Sequence, residues 1–128
     1  MDNLQIDATK FTPQIFFDVT SQVLEIRGKS YPENTAEFYE PVFEWIKRYL
    51  VEIGNIPFTV NIQLDYFNSS SSKVLMDLFD LLDNKAREMS EVTINWYYDE
   101  EDDIFLEHGE EFQEDLDFVD FNLIEFKS

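Results

Sequence analysis

The chain has 128 residues, the size of one ordinary domain, and 44% of them are hydrophobic, including 13 Phe, 6 Tyr and 2 Trp. That is ample material for a packed core and argues against global disorder. Against 28 Asp and Glu stand only 9 Lys and Arg, a formal charge of −19, which nucleic acid and anionic membrane surfaces would repel. With no cysteine there is no disulfide framework, thiol nucleophile or zinc–thiolate site. The start, MDNLQIDATKF, lacks the basic-then-apolar pattern of a secretory signal. No run approaches the roughly 18 apolar residues of a membrane span. The expectation is an acidic cytoplasmic domain, not inserted in a membrane and monomeric when free.

The first dozen residues are weakly patterned and read as an arm (1–12) on a single domain spanning 1–128. Residues 14–19, QIFFDV, and 22–27, QVLEIR, are short β-branched and aromatic runs, and Thr20 and Ser21 between them suggest a tight hairpin. Alternation puts Val23 and Glu25 on one face, Leu24 and Ile26 on the other. The break GKSYPEN follows, and Asn34 with Glu37 reads as a capping pair opening a helix. Phe38, Val42, Trp45, Ile46, Tyr49, Leu50 and Ile53 recur at helical spacing. Pro41 interrupts them. An interior proline costs about 3 kcal/mol, so a short first turn and a main helix from Pro41 to Gly54 are expected.

FTVNIQLDYF at 58–67 alternates apolar and polar residues and predicts a strand. After Asn68 and four serines, a helix is predicted over about 70–89, with Val74, Leu75, Leu78, Phe79, Leu81, Leu82, Ala86 and Met89 covering an arc of about 160°. Asp77, Asp80 and Asp83 lie opposite. A strand at 91–98 follows, then a third helix at 101–115 bearing Phe105, Phe112 and Leu116 on one side, and a last strand at 119–126. The order is β-β-α-β-α-β-α-β. Strands separated by helices need crossovers, so the fold class is α/β with a mixed, mostly parallel sheet. Acidity concentrates at the end: residues 99–128 hold 13 acids and one Lys (−12), residues 1–98 hold 15 acids and 8 bases (−7).

Few residues invite chemistry. The lone histidine, His108, cannot by itself build a metal site or a nucleophile–base–acid triad. Asp99–Glu110 spaces its acids like a calcium loop, but Ile104 occupies the sixth position, where a sharp turn requires Gly. Only three glycines, at 28, 54 and 109, leave no phosphate loop. Carboxylate pairs are everywhere and none is singled out for hydrolysis. No cofactor or metal is expected, and no catalytic residue. The run Asn68-Ser69-Ser70-Ser71-Ser72 is different, because it opens an amphipathic helix. It reads as an N-cap, as a phosphoacceptor whose phosphate the amides and dipole would welcome, or as both.

SYPEN at 30–34, the Trp-containing helix, DYFNSSSSKVLMDLFDLLD at 65–83, NWYYD at 95–99 and EEFQED at 110–115 together resemble the SiaC family of regulatory phosphoproteins. The similarity runs in order along nearly the whole chain. It implies the anti-sigma factor antagonist (STAS) fold and a non-enzymatic, partner-switching role. In the family a Thr or Ser after the turn Asn is phosphorylated by a kinase of the histidine-kinase-like ATPase type, and a PP2C-type phosphatase removes the phosphate. The unphosphorylated form activates a diguanylate cyclase, which raises cyclic di-GMP and promotes biofilm growth. The matching acceptor here is Ser69, with Ser70 and Ser71 as alternatives. The partner surface is expected around Asn68, Ser70, Ser72, Lys73, Met76, Asp77 and Asp80. Met76 reads equally as an adaptable contact or as a lone exposed side chain. An unphosphorylated STAS-like scaffold or an anti-sigma factor antagonist acting on another target is the second class. An acidic mimic of nucleic acid is the third.

Overall fold

Alternation in the apolar runs sets the architecture. The structure, a computed structural model, describes residues 1–88 and 90–127; the expected apolar position Met89 lies outside them. Six strands form one sheet in sequence order: β1 (Leu4–Ile6), β2 (Gln14–Asp18), β3 (Val23–Ser30), β4 (Phe58–Phe67), β5 (Val92–Asp99) and β6 (Asp120–Phe126). The first two pairings are antiparallel and the remaining three parallel. Helices α1 (Thr35–Glu52), α2 (Ser69–Arg87) and α3 (Asp103–Glu114) make the three crossovers. Successive right-handed crossovers in one direction place all three helices on one face. In register, Phe17, Leu24, Val60, Ile94 and Phe121 cross the sheet as a single buried row beneath them. Trp45 of α1 packs on Phe17, Phe79 of α2 on Trp96 and Phe121, and Phe105 of α3 stacks on Trp96. On the opposite face a ladder of side-chain amides runs from Asn122 to Asn95 (3.1 Å) to Asn61 (2.9 Å).

The predicted order holds, with one strand more. The arm contributes β1, an edge strand tied down by Asn3 Oδ1 accepting the Val19 amide (2.8 Å) and by the Trp45 indole donating to the Asp2 carbonyl (2.8 Å). Three residues are too few to show an alternation, and their anchors lie far along the chain. The hairpin is also looser than two residues. Its loop runs over Val19–Gln22, where Asp18 accepts the Thr20 amide and the Ser21 hydroxyl, which hold its carboxyl below the ordinary value. The strand after it continues past the expected break at Gly28, because a bulge there, with Gly28 at φ +115°, lets Lys29 and Ser30 rejoin the ladder.

Helix α1 is continuous and does not restart at Pro41. Its first turn is set by an N-cap, with Asn34 Oδ1 accepting the Glu37 amide (3.1 Å) and the Asn34 side-chain amide donating to the Glu37 carboxylate (3.3 Å). Its buried stripe includes Tyr39 as well as Val42, Ile46 and Tyr49.

Candidate functional site

Parallel strands deliver their C-terminal ends to one edge of the sheet, and the helix that follows each strand begins there. That edge is where open α/β sheets place their sites. At the end of β4, Asn68 turns into α2 with extended backbone angles (φ −88°, ψ 176°). Its side-chain oxygen accepts the Ser71 amide (2.9 Å), its carbonyl accepts the Ser72 amide (2.9 Å), and its own amide donates to the Ser30 carbonyl (3.1 Å). Asparagine therefore performs the capping, and the serines are released from it.

The four serines occupy different environments. Ser69 and Ser70 are exposed, Ser72 is half-buried and Ser71 is fully buried. Ser71 Oγ accepts a hydrogen bond from the Ser30 hydroxyl (2.8 Å), and Ser30 Oγ lies 2.5 Å from the Tyr39 hydroxyl. The Ser30 proton is committed to Ser71, so Tyr39 is the donor in the second contact. This chain of three buried hydroxyls joins α1, β3 and α2 beneath the first turn of α2. Burial pushes the Tyr39 phenol up to about 12, with the Ser30 hydroxyl partly offsetting it.

Around this turn, SYPEN is mostly structural. Ser30 belongs to the hydroxyl chain, and the Tyr31 ring packs edge-on against Phe11 and Tyr66. Asn34 caps α1. On the far side, the His108 ring packs 5.0 Å from Phe67, the last residue of β4. Lys73, Asp77 and Asp80 are exposed on α2, while Met76 is half-buried against the core. Asp77 and Asp80 line a groove of about 370 Å³ between α1 and α2, with Lys47 on its other wall. Asp83 differs from its two helical neighbours. Its carboxylate accepts the amides of Asp117 (3.2 Å), Phe118 (2.8 Å) and Val119 (3.1 Å), which fixes the loop between α3 and β6. The calcium-like segment is likewise absorbed by the backbone. Asp99 accepts the Glu101 amide, and Asp102 caps α3 by accepting the Phe105 amide, both at 2.9 Å. Among the described residues, no group of three or more His, Asp or Glu is placed to hold a metal ion.

Ser30 and Tyr39 escaped the sequence reading. Tyr39 was legible in principle, since it stands three residues before Val42 on the same helical face. Ser30 had no local signal, because its partner Ser71 is 41 positions away.

Comparison with known proteins covers this whole arrangement. Residues 6–126 match the model of the SiaC family regulatory phosphoproteins. A protein of Pseudomonas aeruginosa strain UCBPP-PA14 is 37% identical over 118 residues, 92% of this chain and 93% of that one. Among solved structures, SiaC of Pseudomonas aeruginosa superposes with a TM-score of 0.90 at 36% identity, covering 98% of this chain and all of the other. The complex of the diguanylate cyclase SiaD with its activator SiaC, from the same species, contains a chain that matches with a TM-score of 0.90 at 36% identity. That match covers 96% of this chain and 99% of the other.

Proposed function

We propose that this chain, which belongs to the SiaC family of regulatory phosphoproteins, is a non-enzymatic cytoplasmic switch phosphorylated on Ser69, and that its unphosphorylated form binds and activates a diguanylate cyclase. A kinase of the histidine-kinase-like ATPase type and a PP2C-type phosphatase set its state. The observation that carries the choice of residue is the cap: Asn68 takes the Ser71 amide, leaving the exposed Ser69 hydroxyl uncommitted at the start of a 19-residue helix. Ser71 is a poor acceptor, since its oxygen is buried and bonded to Ser30. Ser70 is exposed but shares a groove with Glu33 and Glu37, whose charges would oppose a phosphate. The cyclase assignment is supported by the solved complex of SiaD with its activator SiaC. Among the described residues, no helix is long and apolar enough to cross a membrane.

The position of Ser69 also decides where the phosphate acts. At a helix N-terminus it gains about 0.3–1 kcal/mol from the dipole, so the fold tolerates it. An unpaired charge in a docked interface costs about 3–5 kcal/mol, more than a hundredfold in affinity. The switch therefore works through the interface around Asn68, Ser70, Ser72, Lys73, Met76, Asp77 and Asp80. Ser69→Glu should lower affinity for the diguanylate cyclase of the same organism at least about a hundredfold, while Ser69→Ala retains it. Equal binding by both variants would refute the reading.

A further inference from the structure

A groove of about 1030 Å³ at the site edge lies between the first turns of α1 and α2, with Glu33 and Glu37 on one side and Ser70 on the other. Ile6, Phe38 and Pro41 supply its apolar surface, and none of its lining residues is basic. Pro41 adds a second feature. It lies inside α1 and has no amide to give the Glu37 carbonyl, which therefore lacks its regular helical donor. The groove thus sets two carboxylates beside apolar side chains, with Asn34, Thr35 and Ser70 completing its lining.

We infer that this groove is a docking site for a basic segment of a partner protein that carries an arginine flanked by an apolar residue. A guanidinium offers several donors in a planar fork, suited to carboxylates such as those of Glu33 and Glu37, and its flat face packs on apolar or aromatic surface. The apolar neighbour fills the space over Phe38 and Pro41. Charge supports the same occupant: the chain carries −19, which steers basic segments toward it and opposes a second copy of itself. An occupant would touch Ser70, next to Ser69, so the groove adjoins the switch without depending on it.

The test is a titration of the isotope-labelled full chain with a short capped peptide of alternating arginine and leucine, and with its lysine counterpart, followed by amide chemical shifts and calorimetry. The expected result is saturable binding, shifts concentrated in residues 33–41 and 69–72, and at least about threefold preference for arginine. Glu33→Gln combined with Glu37→Gln should weaken binding at least about tenfold. Glutamine at position 37 keeps an acceptor for the Asn34 side-chain amide. Glu111→Gln combined with Glu114→Gln, an equal charge change on α3, should alter it less than about twofold. Shifts spread over 99–117, equal weakening by both pairs, no arginine preference, or absence of saturable binding would overturn the inference. So would a dimer in sedimentation whose dilution shifts map to the groove. Ser69→Glu leaves the groove lining intact and should not weaken the peptide, so the groove and the switch fail separately.

Discussion

Replacing Gly109 by alanine tests how the third helix is seated against the sheet. A Cβ on Gly109 would lie 2.5 Å from Trp96 Cδ1, 2.7 Å from Trp96 Nε1 and 2.7 Å from Leu123 Cδ2. Real carbon contacts are never so short, so either α3 lifts or Trp96 turns. Trp96 is fully buried, stacks on Phe105, and donates its indole N–H to the Phe105 carbonyl (3.0 Å). Turning it breaks that bond. Overpacking costs about 1–3 kcal/mol, and a buried donor left without its partner costs about 1–3 kcal/mol. Alanine returns at most about 1 kcal/mol through helix propensity. The net loss should lie between about 1 and 6 kcal/mol. An unfolding entropy of about 2.1 cal/mol/K per residue converts each kcal/mol to about 4 °C here, a fall in Tm between about 4 and 22 °C. Circular dichroism melts combined with tryptophan fluorescence measure it. A Tm unchanged or raised in Gly109→Ala would show that the helix is not seated on Trp96 as described.

Three further outcomes follow from named contacts. Asn68→Ala removes the acceptor of the Ser71 amide and should cost about 1 kcal/mol, while Asn68→Asp should cost less, both read from denaturant midpoints. Asp83→Ala leaves the amides of 117–119 without their carboxylate; stability should fall by about 1–3 kcal/mol, and hydrogen exchange at those amides should quicken. Burial raises the phenols of Tyr39 and Tyr49 to about 12, above their ordinary value near 10. The unfolded chain then loses those protons first as pH rises, so stability should be level below about pH 10 and decline from there toward pH 12. Tyr39→Phe should make that decline shallower, and an identical slope in the variant would count against the burial argument.

What was legible in the sequence was periodic. The alternation of Phe58, Val60, Ile62 and Leu64 predicts β4 to the residue, and the helical recurrence of apolar residues places α2 and α3 within a few residues of their observed bounds. The family resemblance rested on motifs in their order and is matched by the comparisons. What stayed hidden was tertiary or competitive. Asn and Ser are nearly equal as N-caps, so composition could not decide that Asn68 would cap α2 and leave Ser69 exposed. Helical projection places Asp83 with Asp77 and Asp80 on a solvated face, but the loop at 117–119 folds back onto that one carboxylate. Pro41 suggested a restart because its intrinsic cost is large; its ring lies exposed, and the Asn34 cap with the buried stripe carries the helix through.

The central claim is that Ser69 carries a reversible phosphate. Phosphopeptide mapping of the protein isolated from its own cells, across several growth conditions, tests it most directly. Phosphate on Ser69 with occupancy that varies between conditions, and none on the buried Ser71, is the expected result. A well-covered peptide over residues 69–72 that is unmodified in every condition would contradict it.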